Sequence, residues 1–212
     1  MSAKKLLSDI IELDSKIAEL RDSFDECEEA EQIRALKEVL ERELAAVVEE
    51  EPVSIALVRA TDMTIPLGAR GAELLARGLS HVNPDVRRLA GEALLGIAED
   101  GLVHIRPAID YALGAGCPAA EEMPFLLAMT EDAETSKTIA EFLKSADPDA
   151  VAAAVEALAD FGDPASVPAL KALTGDKRVV AVEGEEEGEE LHEWTIGDLA
   201  GQAIEMIEDE EE

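Results

Sequence analysis

The chain has 212 residues, 47 % of them hydrophobic but only 3 % aromatic, and a net charge of −31 from 49 acids and 18 bases. Such a surface repels nucleic-acid phosphate and anionic lipid, so both are disfavoured as partners. Two distant cysteines with no CxxC pair argue against a disulfide framework or a zinc site. No apolar run approaches the ~18–20 residues of a membrane span, so the expected location is cytoplasmic.

With one Trp, one Tyr and four Phe, a core must come from Ala, Leu, Val and Ile. Ala and Leu are the strongest helix formers, so composition alone points to an all-α fold. The charge is uneven. Residues 1–50 hold 15 acids and 7 bases, 51–106 hold 7 and 6, 107–178 hold 13 and 5, and 179–212 hold 14 and none. A basic partner could explain this acidity through long-range steering. A high-salt cytoplasm could too, because a short Debye length screens self-repulsion. With only 8 Lys in the chain, we favour the high-salt, halophilic reading.

Residues 1–51 contain no Pro or Gly. Leu6, Ile10, Leu13, Ile17, Leu20 and Phe24 alternate spacings of four and three, a heptad seam on one helix face. Ser23 and Glu26 read as a capping box that opens a second helix. The expected elements are helices over 3–22 and 24–50, or one long helix. The seam over 6–24 either packs on the rest of the chain or joins two copies as a homodimeric coiled coil.

From residue 52 the chain repeats. Asn83-Pro84-Asp85 and Asp147-Pro148-Asp149 open segments that share Glu-Ala-Leu at 92–94 and 156–158, 64 residues apart. Prolines at 52, 84, 118 and 148 recur every 30–34 residues. Pro in the first helical turn sacrifices no hydrogen bond, and Asp or Asn before it caps the free N–H groups. Further helices are expected over about 68–80, 102–115 and 134–146, so that each repeat is an antiparallel helix pair.

The D-P-x-x-x-x-A-x-E-A-L run in 147–158 and DPASVPALKAL at 163–173 resemble the HEAT-like repeats of the phycobilisome-lyase type. In that family a first helix carries V-P-x-L-x-x-L, matched here by Val167, Pro168, Leu170 and Leu173. Residues 83–99 and 147–175 match well, 52–62 and 117–131 loosely, and 1–50 not at all. The resemblance implies an α-solenoid of about four helix pairs. It says little of function, because the family spans chromophore-lyase subunits, adaptors and assembly scaffolds.

The last pair departs from the pattern. About 14 extra residues separate its helices, and Val179, Val180 and Val182 precede Gly184 while Leu191 and Trp194 follow Gly188. Branched residues around a Gly-bounded turn predict a β-hairpin over 178–195. Trp194 either caps the open end of the stack or belongs to a projecting binding element. The expected organisation is a two-helix extension over 1–50, a solenoid over 51–208 with the inserted hairpin, and an acidic tail over 209–212.

No phosphate-binding, zinc-protease or nucleophile-elbow motif occurs. His81, His104 and His192 are isolated in sequence. Cys117 precedes a Pro at an expected helix start, where a thiol is either reactive or simply buried. The acidic runs at 185–190 and 208–212 lack EF-hand spacing. Neither a catalytic residue, a cofactor nor a metal site is expected. Arg59, Arg70, Arg77, Arg87, Arg88 and Arg106 crowd the nearly neutral section. Arg87 and Arg88 sit where the helix dipole disfavours cations. They either pair with acids of a neighbouring repeat or form a contact surface. The expected protein-binding residues are Arg70, Arg77, Arg87, Arg88 and Trp194. The function expected is a non-catalytic protein–protein adaptor or scaffold, with a phycobilin-lyase-like enzyme subunit and an acidic nucleic-acid mimic as rivals.

Overall fold

The computed structural model describes residues 3–49, 51–114, 116–182 and 192–209. Its helices are α1 (Ala3–Asp25), α2 (Glu29–Ala46), α3 (Ile55–Asp62), α4 (Ala69–Leu75), α5 (Pro84–Ala98), α6 (Arg106–Ala112), α7 (Ala119–Ala128), α8 (Thr135–Ile139), α9 (Pro148–Phe161), α10 (Val167–Lys171) and α11 (Ile196–Asp209). Short 3-10 turns extend α4 through Ser80 and follow α8 at Phe142–Lys144. Strands β1 (Val179–Val182) and β2 (His192–Thr195) form an antiparallel ladder, Val180 opposite Trp194. The hairpin thus forms where the branched residues predict it. Its turn, with Gly184, Gly188 and Leu191, lies outside the described residues, as do 210–212 of the acidic tail.

Four helix pairs, α4/α5 to α10/α11, build an α-solenoid, and α2 and α3 prolong it at the N-terminal side. The first helices α2, α4 and α6 pack in sequence, and α7 packs on α9 and α9 on α11 in the second layer. The first-helix layer therefore begins at Glu29, within the segment that carries no repeat pattern. Ser54 shows how α2 is held. Its hydroxyl caps α3 by accepting from the Leu57 N–H at 3.0 Å and donates to Glu43 of α2 at 2.6 Å.

Ser23 is not a cap. The helix runs through it to Asp25, its hydroxyl donates to the Glu19 carbonyl at 2.9 Å, and α2 starts after Glu28 without a side-chain cap. A capping box needs non-helical backbone at the serine, and here the break falls later, between Asp25 and Glu29.

The core is continuous from α4 to α11 and consists of Ala, Leu, Ile and Val around Met123 and Phe142. In α9, Ala150, Val151, Ala154, Ala157 and Leu158 are all fully buried, because this helix is covered by α7, α11 and the 3-10 turn after α8. Small side chains permit such close approach. Gly71 is required by the same geometry, since a Cβ there would lie 2.0 Å from the Thr64 carbonyl oxygen. Gly162 ends α9 at φ 69°, the left-handed cap that glycine adopts without a steric penalty.

The repeating Asn/Asp-Pro turn does more than start helices. Asn83, 1 % exposed, accepts from the Asp85 and Val86 N–H groups and donates to the Val48 and Glu51 carbonyls, both at 2.8 Å. It joins the α2–α3 connection to α5. Asn83→Asp keeps the cap acceptor but loses both donors, so it should destabilise the protein by about 2–4 kcal/mol in urea unfolding. An aspartate as stable as the wild type would show that the two carbonyl contacts contribute nothing.

Candidate interaction surfaces

The arginines of the neutral section fasten one repeat to the next. Arg87 Nε donates to Glu122 of α7 at 2.7 Å, and Arg106 makes a two-pronged contact with Glu141 at 2.8 and 2.9 Å. Both reach one repeat along the chain. Arg77 lies 4.0 Å from Glu41, one repeat back. Arg87 also donates through Nη1 to the His81 and Val82 carbonyls, and Arg178 does the same to Ser145 and Ala146, the equivalent residues 64 positions on. Nothing in the sequence motif singles out Arg178; only the folded turn reveals its kinship with Arg87. Arg88 pairs within its own helix, with Glu92 at 2.7 Å and Asp85 at 3.5 Å, and Arg70 pairs with Glu73 at 3.2 Å.

The five expected contact residues are therefore not brought together. Arg70 and Arg77 line a cleft of about 800 Å³ between α2 and α4, with Tyr111 at its edge. Arg87 and Arg88 stand on the second-helix layer, and Trp194 is half-buried on β2. The isolated histidines and thiols are placed just as separately. His81 accepts from the Asn83 N–H through Nδ1, which leaves Nε2 as the donor to the Leu44 carbonyl, each at 3.0 Å. Cys117 sits 3.5 Å from the Ser80 hydroxyl, ahead of a helix that starts at Ala119. Among the described residues, no three His, Cys, Asp or Glu side chains are grouped to hold a metal ion, and no helix is long and apolar enough to cross a membrane.

Residues 120–184, from α7 to β1, match the family model of HEAT repeats. The fold is a HEAT-like solenoid. No curated protein and no solved structure matches the chain.

The solenoid separates charge between its layers in a way the sequence tally hides. Helices α7, α9 and α11 contain no Lys or Arg, but carry Glu121, Glu122, Asp149, Glu156, Asp160, Asp198, Glu205, Glu208 and Asp209. The bases Lys137, Lys144, Lys171, Lys177 and Arg178 lie on the first helices of the same repeats and the turns beside them. At the α5 edge of this face α7 exposes Phe125, and Met129 follows at its end beside Leu95 and Ala98 of α5, 38 % and 72 % accessible and one helical turn apart. Successive spacings of four set the Glu121 carboxylate, aromatic ring and thioether along one side of the helix.

Crowding shows in the carboxyls. Partial burial and the nearby Asp149, Asp147 and Glu122 raise Glu121, and partial burial and Asp160 raise Glu156. The opposite holds at the inter-repeat contacts. Arg106 holds Glu141 low, the Ser136 hydroxyl and the Ala165 N–H hold Asp163 low, and Arg178 holds Asp176 low. The raised pair binds protons more readily folded than unfolded, so lowering pH towards the carboxylate range stabilises the fold through them. The lowered three do the reverse, and their contribution is lost as pH falls through and below that range. The expected Tm at low salt first rises on mild acidification and then falls. Salt should flatten the rise, because it screens exposed carboxylates more than paired ones. Calorimetric scans against pH at two salt concentrations check this; a Tm that only falls from neutrality would contradict it.

Proposed function

We propose that the protein is a non-catalytic interaction scaffold whose exposed α7–α9–α11 face receives a basic, partly apolar segment of another protein. The separation of charge between the layers carries this reading. Helices α7, α9 and α11 bring nine acids and no base of their own to this layer, whereas the first-helix side mixes its acids, Glu134, Glu141, Asp163 and Asp176, with bases. A basic segment would be steered by the carboxylates and anchored by Phe125 and Met129, since desolvated aromatic and Met side chains supply most interface energy. Arg59 and Arg88 on α3 and α5 would favour the opposite charge at the other end of the same layer, and so set the direction of the bound segment.

The elongated face of stacked helices suits this role, as HEAT repeats are commonly protein-interaction scaffolds. The likeness to phycobilisome-lyase-type repeats, the halophilic origin and the cytoplasmic location belong to the same proposal. A chromophore-lyase role has less support: the large clefts are open surface grooves, and the single Trp is half-buried in the hairpin. Charge separation also favours a second reading, mimicry of nucleic acid at a basic site. The exposed apolar pair Phe125–Met129 at the edge of the face favours a protein segment instead.

Affinity capture from the native lysate at low and high salt, quantified by mass spectrometry, separates the two. A scaffold partner should persist at high salt and fall at least about tenfold in recovery with Phe125→Ala/Met129→Ala. Glu121→Lys/Glu156→Lys should weaken its capture chiefly at low salt. Recovery of nucleic-acid-binding proteins at low salt only, indifferent to Phe125→Ala, would replace the scaffold reading with mimicry. Arg87→Glu is unsuitable as a probe, because Arg87 holds the turn at residues 81–82 and the contact to α7.

A further inference from the structure

Helix α1 joins the solenoid at its C-terminal end, where Phe24 packs against the α2–α3 core and the Phe24 carbonyl accepts from Gln32 Nε2 at 2.8 Å. Its seam is open. Leu13 is 59 % and Leu20 61 % exposed, and Ile17 is partly so. Towards its C-terminal end, Ile17, Leu20, Arg21 and Phe24 form one wall of an apolar cleft of about 670 Å³, and Ile55 and Val58 of α3, with Met63 just after it, belong to the other. Ile55 is 73 % exposed there.

We propose that this cleft is filled by α1 of a second copy of the chain, running antiparallel. Three observations select that occupant and direction. The first is register. The seam places Ile10, Ile17 and Phe24 at a positions and Leu6, Leu13 and Leu20 at d positions, a repeat that suits another helix of the same period. With a two-fold axis at Ser15, the layers become Leu6 with the partner's Phe24, Ile10 with the partner's Leu20, and Leu13 with the partner's Ile17. All six seam residues are used.

The second is charge. Lys4 and Lys5 open α1 and Asp22 and Asp25 close it, with no acid in the first turn and no base in the last. Both ends oppose the helix's own dipole. An antiparallel neighbour corrects both at once, setting each N-terminal lysine pair beside the other copy's C-terminal carboxylates.

The third is the shape of the apolar surface. Leu7 and Ile11, at e and b positions, widen the apolar arc in the N-terminal half of α1 only. Arg21, also an e position, lines the cleft on the α3 side. In an antiparallel pair the e flanks of both helices lie on the same side. The partner's e positions then lie on the side of the wall made by Ile55, Val58 and Met63. A parallel pair would turn them to the opposite side, into solvent. Asp14 and Lys16 each meet their own copies near the axis, and each chain carries −31. Association must therefore strengthen as salt screens these repulsions.

Sedimentation of the full chain over a concentration series, at about 0.1 M and about 2 M KCl, should show a dimer that tightens with salt. Leu13→Glu/Ile17→Glu should raise the dimer Kd by about 100-fold or more, and Leu7→Glu by about tenfold. The thermal unfolding of the solenoid should not change, which separates lost association from lost folding. In a Cys27→Ser/Cys117→Ser background, spin labels at Ser8→Cys or Ser15→Cys report direction. An antiparallel pair offsets the two Ser8 labels by about 21 Å along the axis and the Ser15 labels by none. A monomer at every concentration and salt, or a dimer insensitive to the seam variants, would overturn the proposal. Equal distances from the two labels, or an effect absent at Leu7→Glu, would overturn the antiparallel arrangement.

Discussion

A single pair of short helices lined with Ala, Leu and Val has nowhere to hide its apolar stripe except against the next pair. This constraint organises the chain. It is why α9, the most completely covered helix, is rich in Ala and Val and carries its charges only at Asp149, Glu156 and Asp160. It also explains the brevity of first helices such as α8 and α10, five residues each. Helices this short are unstable alone, and persist because each is held by its own second helix and by the neighbouring repeat. Cations were placed accordingly. Arg87, Arg106 and Arg178 each bridge a turn or a repeat boundary, where a guanidinium can satisfy several oxygens at once.

The same stacking creates the proposed interaction surface. Once the second helices lie side by side, positions far apart in sequence, such as Glu121 and Asp149, become neighbours, and burial together with the Asp149 charge raises the proton affinity of Glu121. Placing the compensating bases on the first-helix side keeps the repulsion local to one face. That face is costly for the isolated protein, and a cationic partner would relieve the cost. The repulsion and its proposed relief are thus two consequences of one layered arrangement.

Much of the fold was legible because the relevant physics is local. Pro84 and Pro148 preceded by Asn83 and Asp147 mark helix starts in any context, and the branched residues of 179–182 sit in a strand. The candidate surface was far less legible. Arg70, Arg77, Arg87 and Arg88 stood out as charges in a neutral stretch, yet two of them bridge repeats and two pair within their own helix. Nothing in the apolar run MPFLLAM marks Phe125 and Met129 as exposed. Pairwise spacing along one helix could not tell which of Phe125, Leu126 and Leu127 would face solvent, because that depends on how α7 is rotated against α9.

By itself, then, the sequence determined the helix pairs, their period, the hairpin in the last pair and the heptad seam of α1. All are set by backbone propensity, capping and the alternation of apolar residues over a few turns. Tertiary structure alone decided that α2 joins the first-helix layer, that the arginines fasten repeats, and that three second helices with no base of their own lie side by side. Those are matters of which side of each helix meets which neighbour. Rotation of one rigid element against another is fixed by summed packing over the whole stack, and no short stretch of sequence encodes it.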